Sequence, residues 1–177
     1  MKYHPDNLIE YLTNWLPTFP IETLKQLTAE AFKNNPEGIS FGLAFENLVR
    51  DLRGIIGLEY HKFAISDPKY VADSHHGDFT LRLFEYILCI DTKISTYTNY
   101  YGAITLKSLN NFSGWYLCCS KDLSQLCLID ADYLRAKVKT GELTTSTHLE
   151  CYLSKDFEPI LQEGIECNAV VKLEKSN

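Results

Sequence analysis

A chain of 177 residues, 45% hydrophobic and 23% charged, with a net charge of −6, has the composition of one globular domain with a real core and excludes a largely disordered or fibrous protein. No stretch approaches the ~18 apolar residues that span a bilayer, and MKYHPDNLIEYL sets a proline and two acids where a secretory leader needs an apolar run, so the expectation is a cytoplasmic protein with no membrane segment. The acidic balance gives no global attraction for phosphate, so any nucleic-acid site must be local.

The first forty residues read as helix. LIEYLTNWL ends at Pro17, and PIETLKQLTAEAFKNN has Pro20 ahead of its first turn and stops at the Pro36–Gly38 break. Phe41, Ala44, Phe45, Leu48, Val49, Leu52, Ile55 and Ile56 recur at spacings of three and four, which predicts an amphipathic helix of about four turns closed by Gly57. Strands follow. LEYHKFAI (58–65) alternates loosely up to the turn SDPK, and DFTLRLF (78–84) places Phe79, Leu81 and Leu83 on one face. YILCIDTKI (86–94) is apolar until Asp91, as a central strand covered on both sides would be. A tyrosine-rich connection with room for a short helix leads to two further strand candidates, WYLCCS and LCLIDA. DADYLRAKVKTG then reads as a helix or a strand-to-helix turn, TTSTHLECYL as a late strand and EPILQEGI as a short helix.

No repeat, linker or low-complexity tract interrupts the chain, so residues 1–177 are expected to form one α/β domain: a helical part (1–57), a mixed central sheet flanked by helices (58–130) and a C-terminal elaboration (131–177). The six cysteines form no C-x-x-C pair, and several fall inside apolar strands. They are expected to be buried, reduced thiols rather than a disulfide framework or a zinc site.

The polar residues Asp78, Asp91 and Lys93 stand out because they end otherwise apolar strands. With 78–84 and 86–94 as an antiparallel hairpin bent at Glu85 and Tyr86, Asp78 falls opposite Lys93 and Thr80 opposite Asp91. All three side chains then share one face, beside the helix that precedes the sheet, and any even-length bend preserves this. Two adjacent carboxylates repel, and burial strengthens the repulsion. A divalent cation resolves it, because magnesium takes hard oxygens from one or two carboxylates together with phosphate oxygens and waters. A nearby lysine can orient or deprotonate a water, or stabilise charge on a phosphate under attack. A second acid-x-lysine triplet, Asp67-Pro-Lys69, lies in a turn and lacks a strand's shared face.

Gly77-Asp78, twelve intervening residues, then Asp91-Thr92-Lys93, after a helix carrying Glu46, resembles the PD-(D/E)xK nuclease superfamily, which includes restriction endonucleases, Holliday-junction resolvases and DNA-repair nucleases. The resemblance spans roughly residues 40–130 and implies a restriction endonuclease-like core: a helix, three strands, a connecting helix and a further strand. It implies that Asp78 and Asp91 bind magnesium, with manganese as a substitute, that Lys93 serves the attacking water, and that Glu46 adds an outer acid. Glycine stands in place of the motif's proline, and Asp rather than the more usual Glu leads the triplet. The function implied is magnesium-dependent cleavage of double-stranded DNA, with a restriction-type homodimer as the favoured version because cutting both strands calls for two sites.

Each residue also has a plainer role. Strand-end capping and an ordinary ion pair account for Asp78, Asp91 and Lys93, and an i,i+4 pair with Arg50 accounts for Glu46. Glu59 is a substitute acid, and His75 and His76 are loop residues near the acids, with His76 a candidate phosphate contact. Arg135, Lys137 and Lys139, followed by hydroxyl-rich TGELTTSTH, form a candidate backbone-phosphate patch. Tyr97, Tyr100 and Tyr101 stack on bases or pack under the sheet. Three other functions stay open: a junction resolvase or DNA-repair nuclease with the same catalytic residues, a nuclease-like interaction protein without activity, and zinc phosphoesterase chemistry through His75, His76 and Asp78.

Overall fold

The computed structural model describes residues 1–34, 45, 47–60, 77–95, 101–143, 150–153 and 157–173. Helix α1 (Asp6–Trp15) buries Leu8, Leu12 and Trp15, spaced four and three apart on one face. Helix α2 (Ile21–Asn34) starts directly after Pro20, whose carbonyl accepts the Leu24 N–H. The long helix expected up to Gly57 is interrupted. Residues 47–51 are helical, Leu52 leaves the helix at φ −96° and ψ 3°, and a separate turn, α3 (Arg53–Ile56), follows. The Arg53 guanidinium donates to the Arg50 carbonyl at this break. Gly57 closes α3 at φ 82°, the left-handed cap expected of it.

Strands β1 (Leu58–Tyr60), β2 (Phe79–Leu83) and β3 (Tyr86–Ile94) form an antiparallel meander. Strand β4 (Gly102–Thr105) and helix α4 (Leu106–Asn111) then cross over to β5 (Trp115–Cys119), which lies parallel to β3. A parallel pair needs such a crossover, because a tight turn can only reverse the chain. Strand β6 (Leu126–Asp130) returns antiparallel to β5, helix α5 (Ala131–Lys139) follows, and β7 (Glu150–Leu153) pairs with β4 in a separate two-stranded ribbon. Helix α6 (Glu158–Glu166) leads to β8 (Val170–Lys172), which joins the far edge. The main sheet thus has six strands in the order β1-β2-β3-β5-β6-β8, with one parallel pairing. The protein is α/β, with a mixed sheet flanked by helices.

Each sheet face has its own core. Phe79, Leu81, Ile90, Trp115, Leu117 and Leu128 pack with α1, α2, Phe45 and Val49. On the other face Tyr116, Cys118, Cys127, Ile129 and Val170 pack with residues of α4, α5 and α6. Strands β5 and β6 supply alternate residues to both cores and are buried along their whole length, which is why they read as unbroken apolar runs. Each fully buried side chain such as Leu117 or Leu128 contributes about 1.5–3 kcal/mol relative to exposure, and Leu128→Ala would cost about 2–5 kcal/mol. Cys118, Cys119 and Cys127 are buried free thiols within these cores, and Cys89 and Cys167 are half-buried and also free. Among the described residues no helix is long and apolar enough to cross a membrane.

Candidate functional site

The site is built on the β2–β3 hairpin. Its bend is Phe84-Glu85, between the paired residues Leu83 and Tyr86, one residue earlier than the expected Glu85-Tyr86. Phe84 takes the left-handed conformation at φ 51°, which costs a non-glycine residue roughly 1–2 kcal/mol. Contacts with α1 offset the cost: the Tyr11 ring lies 4.7 Å from the Phe84 ring, Tyr86 Oη donates to Asn7 Oδ1 at 2.8 Å, and Asn7 Nδ2 donates to Glu85 at 3.1 Å. Phe84 itself remains 87% exposed.

The earlier bend corrects the expected register. Thr80 faces Cys89 rather than Asp91, and the ladder ends at the Phe79–Ile90 pair, where the Asp78 N–H meets the Ile90 carbonyl and Asp78 does not stand opposite Lys93. Because the loop still holds an even number of residues, the paired residues of β2 and β3 keep their faces, while Asp78, outside the ladder, turns its carboxylate to Thr92, which alternates with Asp91 and Lys93. A second correction concerns what covers the face of Asp91 and Lys93. Asp91 pairs with Tyr116 and Lys93 with Cys118 across β3 and β5, and both partners belong to the core under α4, α5 and α6. The site therefore lies away from the helical residues before β1, whose Phe45 and Val49 pack on the opposite face.

Lys93 Nζ lies 3.1 Å from Asp91 Oδ2, with the lysine side chain 29% exposed and the aspartate 12%. The Asp91 charge raises the Lys93 pKa above its ordinary value, burial opposes the rise, and the Asp78 charge adds to it. Lys93 is therefore an ammonium group near neutral pH, held against two acids. Asp78 donates its N–H to the Ile90 carbonyl at 3.1 Å, and its Oδ2 accepts from Thr92 N at 3.4 Å and Thr92 Oγ1 at 3.5 Å, long contacts by hydrogen-bond standards. The middle residue of the Asp91-Thr92-Lys93 triplet thus holds the other acid.

Gly77 explains the missing proline. Its φ is +63°, whereas proline is fixed near −65°. A Cβ at Gly77 would lie 2.8 Å from Phe112 Cε2 and 2.9 Å from the Ile90 carbonyl oxygen. The chain enters Asp78 through a gap that only glycine fills without strain.

Tyr116, fully buried beside Asp91, places its hydroxyl 3.2 Å from Ser108 Oγ on α4. Ser108 is itself anchored, since its N–H donates to Oγ1 of Thr105, the N-cap of α4. Neither Tyr116 nor Ser108 is marked by the sequence. Their proximity depends on the β3/β5 register, which residue spacing does not encode.

The donor chemistry fits a hard divalent cation: the Lys93 ammonium already occupies the place of a cation beside Asp91, and Asp78, at the head of β2, is near enough for its charge to act on that ammonium. Among the described residues no group of three or more His, Cys, Asp or Glu converges as a metal cage, so phosphate oxygens and waters would complete the coordination. Glu46, His75 and His76 lie outside the described residues, as do Tyr97 and Tyr100. Glu59 belongs to β1, opposite Thr80, and Tyr101 is buried, its hydroxyl donating to Glu158 at 2.9 Å.

Two of the three residues in the expected phosphate patch are already engaged. Arg135 donates to the carbonyls of Leu109 and Phe112 and pairs with Asp132, tying α5 to α4. Lys137 is buried, with its Nζ 2.7 Å from Glu163 and 3.2 Å from both carboxylate oxygens of Glu142. These contacts are a clasp between α5, the turn after it and α6. Lys139 alone of the three is exposed. Comparison of the chain with family models, with curated proteins and with solved structures finds no match, and the site stands on its own geometry.

Proposed function

We propose that the protein is a magnesium-dependent endodeoxyribonuclease with a restriction endonuclease-like core, acting on double-stranded DNA as a homodimer. The observation that carries the reading is the Asp91–Lys93 pair on β3, the strand that also makes the sheet's parallel pairing, with Asp78 at the head of β2 near enough for its charge to act on Lys93. The order of elements supports it as well: helical residues before β1, three antiparallel strands, α4 and a parallel strand follow one another as the PD-(D/E)xK resemblance implies.

In this reading Asp78 and Asp91 hold the cation, with Thr92 steadying Asp78. Magnesium, when bound, supplies positive charge to the phosphate oxygens and lowers the pKa of water. A water oxygen forms the new bond to phosphorus and loses a proton to solvent, and the bond to one deoxyribose oxygen breaks, that oxygen taking a proton from solvent, without a covalent enzyme intermediate. Lys93, being an ammonium group, orients the water or stabilises the negative charge that builds on the phosphate, and does not take up the proton.

A non-enzymatic interaction protein is the second reading. It is favoured by the fact that Asp91 is paired with Lys93 and Asp78 with Thr92 without any ligand. One experiment separates the two: duplex, branched and single-stranded DNA are incubated with wild-type, Asp91→Asn and Lys93→Ala protein in magnesium. The nuclease reading expects cleavage by the wild type alone, abolished by chelation. A wild type that cuts nothing and binds no magnesium ends it, and equal cleavage by Lys93→Ala removes Lys93 from the mechanism.

A further inference from the structure

A cation that takes Asp91 must take it from Lys93, whose Nζ now rests on Asp91 Oδ2. The displaced ammonium needs another acceptor, because a partly buried charge without one is costly. On its own face of the sheet, Lys93 has Asp91 two residues back along β3, Cys118 directly across on β5, and Tyr116 across from Asp91. Of these, Cys118 offers only a weak sulfur acceptor, and Tyr116 alone adds a neutral oxygen.

The Tyr116 hydroxyl is held in place. Its ring packs against Phe112 with centroids 4.8 Å apart, and its oxygen meets Ser108 Oγ, which is fixed by the first turn of α4. A phenol has one proton to give and two lone-pair sites, so among the described residues its contact with Ser108 leaves acceptor capacity unused. Burial raises the Tyr116 pKa, the Ser108 hydrogen bond lowers it, and the Asp91 charge raises it while the Lys93 charge lowers it, so the phenol stays neutral beside both groups.

We propose that Tyr116, held by Ser108, is a positioning residue whose hydroxyl receives the Lys93 ammonium when a divalent cation occupies the carboxylate of Asp91. The proposal rests on the nuclease reading only through that cation. It gives Lys93 two seats, one on Asp91 and one on Tyr116. The second aims the ammonium into the site instead of releasing it to solvent.

Manganese, titrated by electron paramagnetic resonance, is the probe, with no DNA and no turnover required. Tyr116→Phe keeps the ring and its packing but removes the second seat, so manganese should bind roughly 10- to 150-fold more weakly, the worth of a hydrogen bond to a charged group. Ser108→Ala should weaken binding in the same direction by less, and it replaces Tyr116→Phe as the test if that variant fails to fold. In a Lys93→Met background, where no ammonium needs a seat, Tyr116→Phe should change nothing. A purely structural role predicts equal loss in both backgrounds, and that result overturns the proposal. Wild-type binding that Tyr116→Phe leaves unchanged also overturns it, while the nuclease reading survives. Absence of manganese binding by the wild type overturns the proposal as well, and the cleavage assay then decides the nuclease reading by itself.

Discussion

Replacing Gly77 by alanine tests the local geometry that delivers Asp78. Two costs apply. The φ of +63° costs an L-residue about 1–2 kcal/mol, and the new Cβ would lie within 3.0 Å of both the Phe112 ring and the Ile90 carbonyl oxygen, an overpacking of about 1–3 kcal/mol. Against these stands a gain of about 0.4–1 kcal/mol from stiffening the unfolded chain. The net loss is about 1–4.5 kcal/mol, or roughly 2–18 °C in melting temperature for a chain of this size. Gly141 is the control: its φ is +79°, and nothing lies within 4 Å of a built Cβ, so Gly141→Ala carries the backbone cost alone and should lose at most about 1.5 kcal/mol. Thermal unfolding followed by circular dichroism, with urea midpoints as a second measure, compares the two. Gly77→Pro should be worse than Gly77→Ala, because its ring forces φ to the opposite sign. If Gly77→Ala melts within about 2 °C of Gly141→Ala, the close approach of Ile90 and Phe112 does not constrain this position and the explanation of the absent proline fails.

The clasp on Lys137 should shape stability at both ends of the pH scale. The Thr140 hydroxyl and then Lys137 lower the Glu142 pKa, so its contribution is complete above the ordinary value of 4.5 and is lost as pH falls through the lowered one. Hydrogen bonding to Glu163 leads the causes that raise Lys137, whose contribution is complete below the ordinary 10.5 and is lost as pH rises through the raised value. Melting temperature against pH should therefore be flatter on both flanks in Lys137→Met, and parallel profiles for the two proteins would count against the clasp. A thiol reagent such as Ellman's should leave Cys118, Cys119 and Cys127 untouched in the native protein, since they are buried and burial pushes the Cys119 and Cys127 thiols well up. Modification of all three at native rates would contradict the packing of β5 and β6.

What could be read in advance follows how local each determinant is. The cores of β5 and β6 were legible because a strand covered on both faces is apolar throughout, whereas the apolar run of β3 marked its span but not its burial, since Ile87 is 60% exposed and Tyr86, Leu88 and Cys89 are half-buried. Polar pairing across the hairpin was legible in parity but not in register, because the bend uses Phe84 in a conformation that sequence rules reserve for glycine or asparagine. Strand β4 was missed because its partner β7 lies far along the chain and Gly102–Thr105 is too short to show a period. Strand β8, three residues at an edge, left no periodic trace either. The face that α4 would cover, the carboxylate partners of Lys137 and the carbonyl partners of Arg135 are all products of tertiary packing, so a row of basic residues looked more available than it is.

The hairpin carrying Asp78, Asp91 and Lys93 also sets an order of assembly. Its strands are joined by a two-residue bend and close at little entropic cost, whereas β5 docks only after the whole crossover has been spanned. During synthesis the acids therefore come together before Tyr116 has a sheet to join. Because Lys93 is on the same strand, a counter-ion travels with them, and the nascent hairpin never has to gather two negative groups without a positive one at hand.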